Sequence, residues 1–362
     1  MSVRPRSYLH LASGLKAPGS GDGAPRVVHE DRARLLAQIG VCPPVYEVGA
    51  TSAVGQHPMA HRTPTPTPTP TEPTHRQAVP LAVWPVAQSS GQRQRAGRYL
   101  PESSTHPAKM LPELARRIVV EYSEAGQLVC DPMAGIGTTV LEAACLGRRA
   151  VGIELEARWA DLARRNLDHA LDATSRPLAD IRQGDARRLP AVLGELAGNV
   201  DLVVTSPPYA CDVGNLDKSH WQSGGDLCPS ATRNYSTDRA NLGHARDERY
   251  RFAMAEIYAA CHAVLRPGGL LVAVTKNTRR SGRCLDLAAL TVSLAERAGF
   301  SYLQHSVALL AKVNDGDLAA RPSFFALTQL RKARARGEPC HLVCHEDVLA
   351  FVATSKETAD AR

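Results

Sequence analysis

The sequence predicts a doubly wound α/β fold, a parallel sheet covered by helices on both faces, and three observations carry that prediction. From about Leu81 onward, short apolar runs alternate with stretches of helical periodicity. The connections between apolar runs are long enough for helical crossovers, which parallel strands require. The glycine-rich and polar motifs fall at the carboxyl ends of the runs, where open α/β sheets bind ligands.

Taken in order, Leu111–Tyr122 has helical spacing through Leu111, Leu114, Ile118 and Val119. Leu128–Cys130 is an apolar strand ending in Asp131. The glycine turn Met133–Gly137 follows, then a helix over Thr138–Leu146 that Gly147 ends. Residues 150–153 form the next strand, closed by Glu154, and Ala157–Ala170 is a helix with Trp159, Leu162 and Leu167 on one face. A third strand ends at Gly184-Asp185. Residues 200–205 form a strand that runs into Ser206-Pro207-Pro208-Tyr209. After a polar loop come a helix over Ala253–Leu265, the turn Pro267-Gly268-Gly269 and a strand over Leu270–Thr275. Two late strands, Tyr302–Ala311 and His341–Val352, flank a basic helix over Phe324–Arg336.

Residues 1–80 have a different texture. They hold about half of the 25 prolines, including the Thr-Pro tract from Thr63 to Pro70, and are expected to be a disordered or stiff tail. The folded domain is therefore placed at 81–362. The net charge is +7, with 11 Lys/Arg against 5 Asp/Glu in the first hundred residues and 32 against 31 in the rest. A basic chain points toward nucleic acid, but here the excess sits in the tail. Nine scattered cysteines argue against a disulfide framework. Cys340-His341 and Cys344-His345 read as a strand whose spacing of four puts both thiols on one face, and no metal is expected. With no apolar run of 18 residues and no secretory leader, a cytoplasmic chain that does not enter a membrane is expected.

Asp131-Pro132-Met133-Ala134-Gly135-Ile136-Gly137-Thr138 leaves a strand and opens a helix. Glycine lets the backbone turn sharply and approach a ligand. A dinucleotide site needs a third glycine where this chain has Val140, and Asp131 would repel a diphosphate. The motif suits a cofactor with a positive or zwitterionic end and no phosphate. Glu154 lies 23 residues beyond Asp131, at the spacing where an acid accepts from ribose hydroxyls, and Asp185 is placed to serve an adenine amino group. Each feature alone is a turn or a surface acid. In succession at three strand ends they make a site.

Over about residues 95–352 the chain resembles the class I S-adenosylmethionine-dependent methyltransferases, specifically the branch that methylates amino groups of DNA bases. The residues that carry the resemblance are Asp131 to Thr139, Gly152-Ile153-Glu154, Gly184-Asp185 and Thr205 to Tyr209. Upstream, His106-Pro107-Ala108-Lys109 is similar to the remaining cofactor motif, and His345 to Phe351 to the last, antiparallel strand. The resemblance implies a Rossmann-like methyltransferase fold: a mostly parallel seven-stranded sheet with one antiparallel late strand. It implies S-adenosylmethionine as cofactor, held by His106, Lys109, Asp131, Pro132, Gly135, Gly137, Thr138, Glu154 and Asp185.

It also assigns catalysis to Ser206, Pro207, Pro208 and Tyr209. An exocyclic base amine is a poor nucleophile because its lone pair is delocalised into the ring. In the resembled family, the first motif residue and the carbonyl of the next accept the amine hydrogens, here Ser206 Oγ and the Pro207 carbonyl. Prolines fix that carbonyl, and Tyr209 offers a flat face to a base rotated out of the duplex. C5 methylation needs a Pro-Cys nucleophile, where this chain has Pro207-Pro208.

The polar loop at about 210–249 is expected to recognise the target or close over it. Within it Trp221 and Tyr235 are candidates to stack on bases, and Arg233, Arg239, Arg246 and Arg249 to meet phosphates. Phosphate contact is the expected role of Thr275 to Arg280, whereas Lys332, Arg334 and Arg336 read as a solvated helix face. The partner is expected to be DNA. A serine heading the tetrapeptide favours cytosine N4 over adenine N6. RNA base amine methylation is the rival enzyme reading, and a cofactor-binding regulator is the non-enzyme one.

Overall fold

The computed structural model describes residues 81–208, 242, 247–280, 283–315, 317–322 and 324–354. The tail at 1–80, Tyr209 and most of the 210–249 loop lie outside the described residues.

The chain begins with a two-residue strand β1 (Val83–Trp84), a short helix α1 (Gly91–Arg95) and a 3-10 turn at Pro101–Thr105. Helix α2 (Pro112–Tyr122) starts on a proline, whose missing amide costs nothing at the first helical position. Then β2 (Leu128–Asp131), α3 (Thr138–Cys145), β3 (Arg149–Glu154), α4 (Ala157–Ala170), β4 (Ala179–Gln183), α5 (Leu189–Leu193) and β5 (Val200–Thr205) alternate. The second half holds α6 (Asp247–Val264), β6 (Leu265–Thr275), β7 (Thr278–Arg280), β8 (Arg283–Leu285) and α7 (Leu287–Arg297). It ends with β9 (Phe300–Leu309), β10 (Ala311–Asn314), β11 (Asp317–Ala320), α8 (Phe324–Ala335) and β12 (His345–Ala353).

The main sheet runs β1-β9-β12-β6-β5-β2-β3-β4. Strands β2 to β6 are mutually parallel, and β12 is antiparallel to both β6 and β9. This is the expected Rossmann-like methyltransferase sheet with its single reversed late strand. It has eight strands, where seven were expected, because β1 adds an edge by pairing with Val307 and Ala308. Two residues carry no period, so only the burial of Trp84 betrays that strand.

Two apolar cores flank the sheet, as double winding requires. On one face, Leu114 and Ile118 of α2, Leu141 of α3 and Leu162 and Leu167 of α4 pack on Val129, Val204 and Val272. On the other, Leu189 of α5, Met254 and Tyr258 of α6 and Leu294 of α7 pack on Val203, Leu271 and Phe351. Helix α6 starts six residues before the expected Ala253, because its first turns are charged and bury only Tyr250. Cys340 and Cys344 precede β12 and do not lie in it, so the expected shared strand face is absent. The hairpins β7–β8 and β10–β11 were not anticipated.

Helix α4 carries a polar clamp on its buried face. Asn166 is fully buried and donates to the Ile136 carbonyl at 3.0 Å and to Ser103 Oγ at 3.0 Å. It accepts from the Leu100 amide at 3.0 Å. One side chain thereby ties the glycine turn, α4 and the segment before α2. Asn166→Leu leaves a buried amide and a buried carbonyl unpaired and should cost at least about 2 kcal/mol. Urea unfolding measures this, and an unchanged midpoint would contradict the clamp.

Candidate functional site

The site forms where β2, β3, β4 and β5 end, at one edge of the sheet. Strand β2 delivers Asp131, which is buried and accepts from the Met133 amide at 3.0 Å, starting the turn. Gly135 and Gly137 follow with φ of 54° and 85°, in the left-handed region that favours glycine. A Cβ on Gly137 would lie 3.3 Å from Ala163 Cβ, so that glycine answers to the approach of α4 as well as to the turn. A Cβ on Gly135 would lie 3.4 Å from His106 Nε2. Thr138 is buried as the first residue of α3, with Pro132 behind it in the turn.

Glu154, at the end of β3, organises the turn. Its Oε2 accepts from the Gly135 amide at 2.8 Å and its Oε1 from the Glu156 amide at 2.9 Å. Burial raises its pKa to about 7; the two amides oppose the rise, and the charges of Asp131 and Glu156 add to it. Burial likewise raises Asp131 to about 6. Neither carboxylate has an ion-pair partner among the described residues. Two buried acids facing no protein cation suit a positively charged ligand.

His106 packs edge-on to Trp159 with ring centroids 4.6 Å apart, and burial lowers its pKa to about 3, so the ring is neutral. Arg158 lies over the outer indole at 4.2 Å. Lys109 donates to the carbonyls of His106 and Ser104 and closes the 3-10 turn. Burial, then the nearby Arg95, lowers its pKa to about 8. Asp185 grips Arg187, accepting from its Nε at 3.0 Å and its amide at 3.0 Å. Burial pushes that carboxyl up, but the Arg187 bonds outweigh it and hold it below the usual range. An adenine amino group would have to share Asp185 with this arginine.

The tetrapeptide expected to be catalytic begins beside this cradle. Thr205 is fully buried at the end of β5, Ser206 is half-buried, and Pro207 is buried. Thr205 pairs in register with Ala273 of β6, so Ser206 to Pro208 continue along the last residues of that strand. Tyr209 lies outside the described residues, as do Trp221, Arg233, Tyr235, Arg239 and Arg246; Arg249 is exposed on the first turns of α6.

The stretch Thr275 to Arg280, expected to meet phosphates, has partners within the protein. Asn277 Oδ1 accepts from the Leu287 amide at 2.9 Å and caps α7, Lys276 is buried, and Arg279 pairs with Glu338 at 3.3 Å. Asn166 and Trp159 escaped the sequence reading as site residues. An asparagine on the apolar face of α4 was the available signal.

Residues 53–165 match the family model described as DNA methylase. That span takes in His106, Lys109, the glycine turn and Glu154, and stops before Asp185 and the tetrapeptide. The chain is 31% identical over 141 residues to a tRNA (guanine(10)-N2)-dimethyltransferase of Methanothermobacter thermautotrophicus, covering 35% of this chain and 39% of that one. It is 32% identical over 113 residues to the DNA adenine methyltransferase YhdJ of Escherichia coli, covering 31% and 36%. It is 42% identical over 59 residues to the type II methyltransferase M.MthZI, also of Methanothermobacter thermautotrophicus, covering 16% and 17%. Over these spans the chain is similar to amino-methyltransferases that act on nucleic acid. The chain spans about a third of the length of the first two of these relatives. The buried acids, the glycine backbone and the missing phosphate seat fit S-adenosylmethionine, which is positively charged at sulfur and amine.

Two raised carboxyls leave a pH signature. Each binds its proton more tightly folded than unfolded, so stability is highest below the unfolded carboxylate range and falls as pH rises through about 6 and 7. Without cofactor, urea unfolding should give lower stability at pH 8 than at pH 5, and Glu154→Gln should flatten that slope. A slope identical in wild type and variant would overturn the placement of Glu154.

Proposed function

We propose that the chain transfers a methyl group from S-adenosylmethionine to the exocyclic amine of a DNA base rotated out of the helix, with cytosine N4 as the target. The single observation that carries the reading is the juxtaposition at one sheet edge. The Asp131 and Glu154 carboxylates lie at the ends of β2 and β3, and Ser206-Pro207 leaves the end of the adjoining β5.

When bound, the cofactor supplies an electrophilic methyl group on a sulfonium. In this reading Glu154 accepts the ribose hydroxyls, and Asp131 and the Gly135–Gly137 backbone border the amino-acid end. Pro132, Thr138, His106 and Lys109 shape the wall, and Asp185 meets the adenine. Ser206 Oγ and the Pro207 carbonyl accept the two amine hydrogens and hold the nitrogen lone pair out of the ring plane. Pro208 stiffens the carbonyl, and Tyr209 stacks on the base. Preorganised acceptors are worth most where water is excluded, which the burial of Pro207 favours. The catalytic unit is residues 81–362, the 210–249 loop recognises the target, and the chain works in the cytoplasm. Among the described residues no helix is long and apolar enough to cross a membrane.

The tRNA-methylating relative favours a second reading, in which the amine belongs to RNA. One experiment separates the readings: incubation with labelled cofactor and either DNA or RNA, followed by mass spectrometry of the digested nucleosides. N4-methylcytosine in DNA is expected. N6-methyladenine would keep the mechanism and overturn the inference from Ser206, 5-methylcytosine would contradict the mechanism, and label in RNA alone would move the chain to the second reading. In the same assay Pro207→Ala should slow transfer while leaving cofactor affinity intact. Glu154→Ala should weaken cofactor binding at least about tenfold by calorimetry, since it removes a charge-assisted bond of about 1.5–3 kcal/mol. Unchanged affinity in folded Glu154→Ala protein would sink the cofactor assignment.

A further inference from the structure

The connection between β9 and β12 is an independent element at the catalytic edge. Strand β9 runs in the direction of β5 and β6, and β12 returns, with His345 opposite Leu309 and Asp347 opposite Thr275. The chain therefore leaves and re-enters the sheet at the end where Ser206 and Pro207 emerge. Residues 311–344 between them form the hairpin β10–β11 and the helix α8. Leu310 anchors the stem: its amide donates to the Cys344 carbonyl at 2.7 Å, and its own carbonyl accepts from the Arg321 amide at 2.7 Å.

What this element exposes is unusual for a surface with no partner. Val313 and Leu318 face each other across the hairpin, 42% and 61% exposed, one pair behind the tip formed by Asn314 and Asp317. Residues 311–344 hold six Lys/Arg against three Asp/Glu, in a 101–362 stretch that is otherwise slightly acidic. Glu338 is shared between Arg279 of β7 at 3.3 Å and Arg336 at 2.8 Å, so one carboxylate answers two guanidiniums and the positive excess survives. That bridge also makes the element continuous with the chain leaving β6. Arg331 and Lys332 are exposed on α8 with no ion-pair partner among the described residues, and Lys312 stands beside Val313.

We propose that residues 311–344 form a docking surface for duplex DNA, in which Lys332, expected from the sequence to lie on a solvated helix face, takes part. The inference rests on the proposed DNA reading and adds where the duplex sits. Val313 and Leu318 pack against the base stack beside the rotated nucleotide, where unstacking exposes apolar surface, and Lys312, Arg331 and Lys332 meet phosphates. Charge complementarity and continuity with the catalytic edge favour this occupant over a second protein surface, which would leave the cations unmatched.

The test uses the full chain and fluorescence anisotropy on a labelled mixed-sequence DNA duplex, with an RNA duplex of the same sequence as a second probe. Val313→Thr/Leu318→Thr keeps strand propensity and should weaken DNA binding at least about fivefold with the salt dependence unchanged. Arg331→Gln/Lys332→Gln should reduce the slope of log affinity against log salt by about two. Calorimetry with S-adenosylmethionine should be unchanged for both, which establishes that the variants are folded. Variants that bind DNA like the wild type, with the same salt slope, overturn the inference and leave the DNA reading standing. A wild-type chain that binds only the RNA duplex overturns both.

Discussion

The bond from the Gly135 amide to Glu154 is the contact on which the cofactor side of this molecule depends. A glycine turn with two left-handed residues has many ways to fold and little enthalpy of its own. A buried carboxylate reaching across from the next strand selects one of them. Because Glu154 also holds the Glu156 amide, one side chain fixes both the loop after β2 and the entry to α4. The cost is an acid buried near a second acid, Asp131, with no cation opposite either among the described residues. A structural site would neutralise such a pair with lysine or arginine. Leaving both without one is the behaviour of a site whose positive charge arrives with its ligand.

The opposite choice is made beyond β6. From β6 onward the chain carries cations, with Arg279 and Arg336 sharing the carboxylate of Glu338 and Arg331 and Lys332 exposed on α8. The edge is acidic and buried over β2–β3, and exposed basic residues stand on the chain beyond β6; in the proposed reading the first meets a cationic small molecule and the second a polyanion. The reversed strand β12 helps to make this division, because its start, His345, lies at the sheet edge where β5 ends and brings residues 311–344 with it.

The doubly wound fold was legible because period and punctuation agreed. The boundaries of β2, β3, α4 and β5 fell within a residue or two of expectation, since β2 and β3 end on acids, β5 runs into Ser206-Pro207 and α4 keeps its apolar period to Leu167. What was not legible had no local signal. Strand β1 is two residues long, α6 begins in a charged turn, and the strands of the two hairpins are only three or four residues long, too short to show a period. At the site, the sequence named Asp131, Gly135 and Glu154 from their position at strand ends. It missed Asn166 because a clamp between three segments is a tertiary fact. The internal partner of Arg279 was not legible for the same reason: whether a cation faces solvent or a glutamate 59 residues away is not written near it.

The serine at position 206 is best weighed against its surroundings. An aspartate there would add a third acid at the end of a strand adjoining β2, whose own Asp131 is already pushed to about 6 by burial. In the proposed reading a neutral hydroxyl accepts an amine hydrogen without that electrostatic cost, and the Pro207 carbonyl is the second acceptor. In this reading the head of the tetrapeptide and the acids of the cofactor cradle are linked choices. Two carboxylates reserved for a cationic cofactor leave the strand between them and the basic edge to be served by neutral acceptors.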